Sequence, residues 1–86
     1  MKITNKTQVD KFVAAIEQCR GNAYLLDAKG NQYHLKSVMS RHVALGKLLD
    51  NEGDKLELFC ERKEDEGYFM QFFRENPAVL NPSFAN

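Results

Sequence analysis

The sequence predicts an α+β domain, with a four-stranded antiparallel sheet, three helices packed on one of its faces and the other face open to water. Three observations carry that expectation. Apolar residues recur at helical spacing from Val9 to Ile16, from Val38 to Leu49 and from Tyr68 to Phe73. Shorter runs suit strands, and Leu56, Leu58 and Cys60 alternate with Lys55, Glu57, Phe59 and Glu61 in a period of two. Turn residues at Gly21-Asn22 and at Ala28-Lys29-Gly30-Asn31 punctuate the runs.

Taken in order, Met1 to Asn5 is read as a short first strand with Ile3 facing inward. Val9, Phe12, Val13 and Ile16 then form the apolar face of a helix from Thr7 to Cys19, capped by Asn5 or Thr7 and stopped at Gly21-Asn22. Ala23-Tyr24-Leu25-Leu26 is a second strand, and Gln32 to Leu35 returns beside it as a hairpin. Ser37 opens the next helix as its N-cap, worth about 1 kcal/mol against alanine because its hydroxyl accepts a first-turn N–H. Asp50 to Asp54 is a polar loop leading into the alternating strand. The acidic run Glu64-Asp65-Glu66 suits the positive end of a last helix, whose face is marked by Tyr68, Phe69, Phe72 and Phe73. Pro77 and Pro82 forbid a continuous helix beyond that point, which divides the chain into a domain over 1–76 and an extended or packed tail over 77–86.

With 86 residues, the chain has material for one small core. Its 12 basic and 12 acidic residues cancel, so no global field would hold nucleic acid or an anionic membrane. Neither is expected as a partner. No stretch approaches the roughly 20 apolar residues of a membrane-spanning helix, and the expected compartment is the cytoplasm. Cys19 and Cys60 lie far apart within apolar patterns and read as buried, reduced thiols. His34 and His42 stand apart from both, so no metal or other cofactor is expected.

The segment Leu35-Lys36-Ser37-Val38-Met39, the later Leu45-Gly46 and the strand Gly53-Asp54-Lys55-Leu56-Glu57-Leu58 resemble the histidine-containing phosphocarrier HPr of the sugar phosphotransferase system. Its members carry N-L-K-S-I-M, S-L-G and G-x-E-I-x-I at the matching places. The resemblance implies the HPr-type open-faced β-sandwich, and it covers Phe12 to about Glu75. Where the family has its catalytic G-[LI]-H-A-R-P-A, this chain has Asn5-Lys6-Thr7-Gln8-Val9, without histidine or arginine. Phosphotransfer needs an imidazole nucleophile, a helix N-terminus for the anion and a guanidinium to steady it. The chain is therefore expected to be a degenerate HPr-like protein that serves as a regulatory or protein-binding module rather than an enzyme.

The resemblance implies further site residues. Ser37 matches the serine that an ATP-dependent HPr kinase phosphorylates, and Val38, Met39 and the next turn correspond to the patch that docks partner proteins, with Arg41 and His42 in a segment one residue longer than the family's, without its glycine and more polar. Those partners would be enzyme I, the kinase, a permease component or a transcription regulator. Asn5, Lys6 and Thr7 remain as a weak anion site at the degenerate active-site position. The alternative is an active phosphocarrier that uses His34 or His42 in sugar phosphotransfer.

Overall fold

Asn5 starts the first helix, its side chain accepting the Gln8 N–H at 2.9 Å from an extended backbone. The computed structural model describes residues 1–50 and 55–80. Helix α1 runs over Lys6–Gln18, strand β1 over Ala23–Leu26, β2 over Gln32–His34, α2 over Val38–Leu49, β3 over Glu57–Cys60, α3 over Glu66–Glu75 and α4 over Pro77–Leu80. A 3-10 turn over Lys63–Asp65 leads into α3. The architecture is α+β, as the patterning predicts, and every helix and strand expected after residue 5 is present, with α4 as a fourth helix where an extended or packed tail is expected.

The sheet differs from expectation. Among the described residues it has three strands in the order β2-β1-β3, all antiparallel. Residues 1–4 do not form the expected first strand. Their backbone is drawn instead to helix ends, where the last carbonyls have no partner within their own helix. Lys2 N donates to Val79 O at 2.7 Å, Ile3 N to Leu48 O at 3.0 Å, and Lys2 Nζ to Leu49 O at 3.1 Å. The segment is a strap across the C-terminal ends of α2 and α4, and it buries Met1 and Ile3.

The core gathers Phe12, Ala15 and Ile16 of α1, Ala23 and Leu25 of β1, Ala44 and Leu48 of α2, Phe69 and Phe72 of α3, and Val79 of α4. All four helices thus share one cluster with the same face of the central strand. The Phe12 ring stands 5.7 Å from Phe69 and 5.4 Å from Phe72, both tilted, the arrangement that aromatic quadrupoles favour. Val79 brings the first turn of the expected tail into this core, while 51–54 of the polar loop and 81–86 of the tail lie outside the described residues. On the sheet's other face His34, Tyr24 and Phe59 form a row, one from each strand, with centroids 5.9 and 5.5 Å apart.

The hairpin turn is built on Asp27. Its Oδ1 accepts from Lys29 N and Asn31 N, each at 2.9 Å, and its Oδ2 from Asn31 Nδ2 and Tyr33 Oη, each at 3.0 Å. Gly30 takes φ of 89°, a value open to glycine and costly for other residues.

Candidate functional site

Ser37 ends the turn after β2 and caps α2, its hydroxyl accepting from Ser40 N at a long 3.5 Å while its carbonyl accepts from Arg41 N at 2.8 Å. The hydroxyl lies on an exposed residue at the helix's positive end. The residues after it face outward. Val38 is 68% exposed, Met39 81% and Val43 51%, whereas Ala44 and Leu48 carry the helix's buried side. Positions four apart on a helix are surface neighbours, so Val38 with His42 and Met39 with Val43 make one contiguous patch. Val38 and Met39 fit core and docking face equally well by helical spacing, and the structure puts them on the surface. Arg41, half-buried, is the cation of the turn that follows Ser37.

Asn5, Lys6 and Thr7 stand at the start of α1, where the weak anion site is expected. Asn5 is engaged as a cap, Gln8 Oε1 accepts from both Thr4 N at 2.8 Å and Thr4 Oγ1 at 3.2 Å, and Lys6 pairs with Asp10 at 2.9 Å. Thr7 is exposed. Asp10 offsets the charge of Lys6. The strap holds Ile3 at Leu48, in the last turn of α2, while Ser37 caps the first. Those two ends stand about 17 Å apart at a helical rise of roughly 1.5 Å per residue.

The two histidines are likewise separate. His34 is half-buried against Tyr24, and its Nδ1 is buried without a hydrogen-bond partner among the described residues. His42 is exposed beside Met39 on the patch. Both cysteines are free, Cys19 buried and Cys60 half-buried. Burial pushes both thiols up, Cys60 to about 11, with Cys19, Glu66 and Asp65 adding to the rise at Cys60. Among the described residues no three His, Cys, Asp or Glu side chains gather as a metal ion would need, and no helix is long and apolar enough to cross a membrane.

One charged residue has a place that the acidic run Glu64-Asp65-Glu66 does not reveal. Asp65 is 2% exposed, while Glu64 and Glu66 are exposed. Its carboxylate accepts Gly21 N at 2.8 Å and Arg20 N at 3.1 Å, clasping the exit of α1 to the entry of α3. The Gly21 bond is the main cause that holds its pKa down; burial opposes it, and the Arg20 bond, Arg62 and Lys36 assist. Gly21 is there for space rather than as a helix stop. A Cβ on it would lie 2.6 Å from Arg62 Cγ and 2.7 Å from Arg62 Cδ. Lys36 completes the junction by donating its ammonium to the Cys19 carbonyl at the end of α1, where a cation is favoured. Compared with family models, with curated proteins and with solved structures, the chain finds no match.

Proposed function

We propose that this chain is a degenerate HPr-like protein of the phosphotransferase system, a cytoplasmic, non-catalytic regulatory or protein-binding module whose switch is phosphorylation of Ser37. The observation that carries the reading is the junction of an exposed serine cap with an exposed apolar patch: Ser37, then Val38 and Met39. Large apolar side chains left in water beside a modifiable group suit a docking face, and methionine adapts to different partners. The order helix, strand, strand, helix, strand, helix is that expected for the HPr-type sandwich after its first strand, whose place in the chain the strap occupies. Asn5 to Val9 hold no histidine or arginine at the α1 entrance, so the family's phosphotransfer step has no nucleophile there.

A phosphate on Ser37 would add about −1.5 to −2 charge at the positive end of α2, where the dipole favours it. Arg41, one turn on, supplies a guanidinium for a charge-assisted bond. The modification would leave the fold intact and turn an apolar patch into an apolar patch with an anionic edge. Enzyme I, HPr kinase, a permease component or a transcription regulator would be the partner that reads it.

Intact mass tests this. Incubation with ATP and an HPr kinase is expected to add one phosphate, and Ser37→Ala to abolish the gain. An unchanged mass removes Ser37 phosphorylation from the reading. Incubation with phosphoenolpyruvate and enzyme I is expected to add nothing; a gain there, lost on replacing His34 or His42, would make the chain a phosphocarrier instead.

A further inference from the structure

The outer edge of β3 borders an apolar groove of about 510 Å³ between that strand and α3. Hydrogen-bonded pairs in an antiparallel ladder alternate along it. Glu61 N donates to Asn22 O, which makes Tyr24 with Phe59 and Leu26 with Glu57 the bonded pairs of the β1–β3 ladder. Leu58 and Cys60 therefore turn their N–H and C=O groups away from β1. Nothing among the described residues pairs with them. Edge strands are commonly blunted by shortness, charge, proline or a bulge; β3 is short and carries Glu57, but Leu58 to Cys60 hold no charge and no proline.

The walls beside this edge are Leu58, Phe69, Met70 and Phe73, with Met70 59% exposed. The charged residues of the lining, Glu57 and Glu66, are both acidic, in a chain whose net charge is zero. We propose that the β3 edge and its groove form a docking site for an extended partner peptide in which apolar residues alternate with lysine or arginine. Its backbone adds a strand against Leu58 and Cys60, its apolar side chains enter the groove, and its cations, on the opposite face of the added strand, meet Glu57, which shares the sheet's open face with Phe59. Charge selects this occupant. The chain's own segment 81–86, Asn-Pro-Ser-Phe-Ala-Asn, carries no cation. A second copy docked through a two-fold axis would set the same acidic rim against itself. The site is independent of the Ser37 patch, because α2 packs on β2, at the opposite edge of the sheet.

The test is titration of the isotope-labelled full chain with the acetylated, amidated hexapeptide (Lys-Val)3 and, as control, (Glu-Val)3, followed by NMR shifts and amide hydrogen exchange. Binding of (Lys-Val)3 is expected to slow exchange at Leu58 and Cys60 and to be at least about 10-fold tighter than that of (Glu-Val)3. Met70→Lys, at an exposed position, is expected to weaken it about as much, and Glu57→Lys to remove the preference. Equal binding of both peptides, binding without protection of Leu58 and Cys60, or no binding overturns the proposal. So does protection of these amides in the peptide-free chain, which assigns the edge to a second copy if it grows with protein concentration and to the chain's own tail if it does not.

Discussion

Two aspartates show how far a single residue's role departs from its residue type. Asp27 holds the hairpin turn and Asp65 the junction of α1 and α3, each by accepting hydrogen bonds that favour the ionised form. At Asp27 burial works to raise the pKa, but the bonds from Asn31, Tyr33 and Lys29 outweigh it and bring it down to about 2. Carboxyls depressed in the folded state contribute stability above their unfolded pKa of about 3.9 and lose it as pH falls through the folded value. Stability is therefore expected to drop between about pH 4 and pH 2, and Asp27→Asn and Asp65→Asn to flatten that slope while lowering stability at pH 7. Denaturant midpoints across this range would measure both. Gly21→Ala is expected to cost about 1–3 kcal/mol by overpacking against Arg62, and the loss to shrink in an Arg62→Ala background. A cost unchanged in the double variant would mean that the Arg62 contact is not its cause.

At the scale of elements, hydrogen-bond supply decides what the segments become. The N-terminal strap has a strand-like alternation, with Met1 and Ile3 buried and Lys2 half-buried. It is not a strand, because the carbonyls that accept from it belong to Val79 and Leu48. Those carbonyls are near 80 and 48 in the chain, and no local pattern around residue 3 points to them. Ile3→Ala is expected to lose about 2–5 kcal/mol, the range for truncating a fully buried aliphatic side chain. The loss should also loosen the end of α2, seen as faster hydrogen exchange in its last turn than in the hairpin. The caps follow local rules instead. Asn5 and Ser37 stand at the helix starts expected from their residue types and from the apolar periodicity after each.

For the whole molecule, one core serves all four helices and a single face of the sheet, so global unfolding and exposure of the buried thiols are one event. Thiolate is the reactive form, and both thiols have raised pKa values. Cys19 and Cys60 are expected to alkylate slowly at pH 7.5 in the folded protein, Cys19 slower than Cys60, and at equal rates in denaturant. Rapid folded-state labelling of Cys19 would contradict its burial. The helix and strand sequence from α1 to α3, the Phe12–Ile16 and Phe69–Phe72 core faces, the hairpin and the Ser37 cap were legible in the chain, because each rests on interactions among residues a few positions apart, whereas the first strand was misread and α4 was not foreseen. The candidate site was legible in part: its residues were named from sequence, but whether Val38 and Met39 faced core or water was not, since helical spacing fixes a face and not which side of it is covered. Only the tertiary structure decided that exposure, the burial of Asp65 amid its acidic neighbours, the strap in place of a strand and the open β3 edge. Each depends on which distant backbone group or side chain arrives to satisfy a donor, an acceptor or an apolar surface, and that is a property of the packed chain.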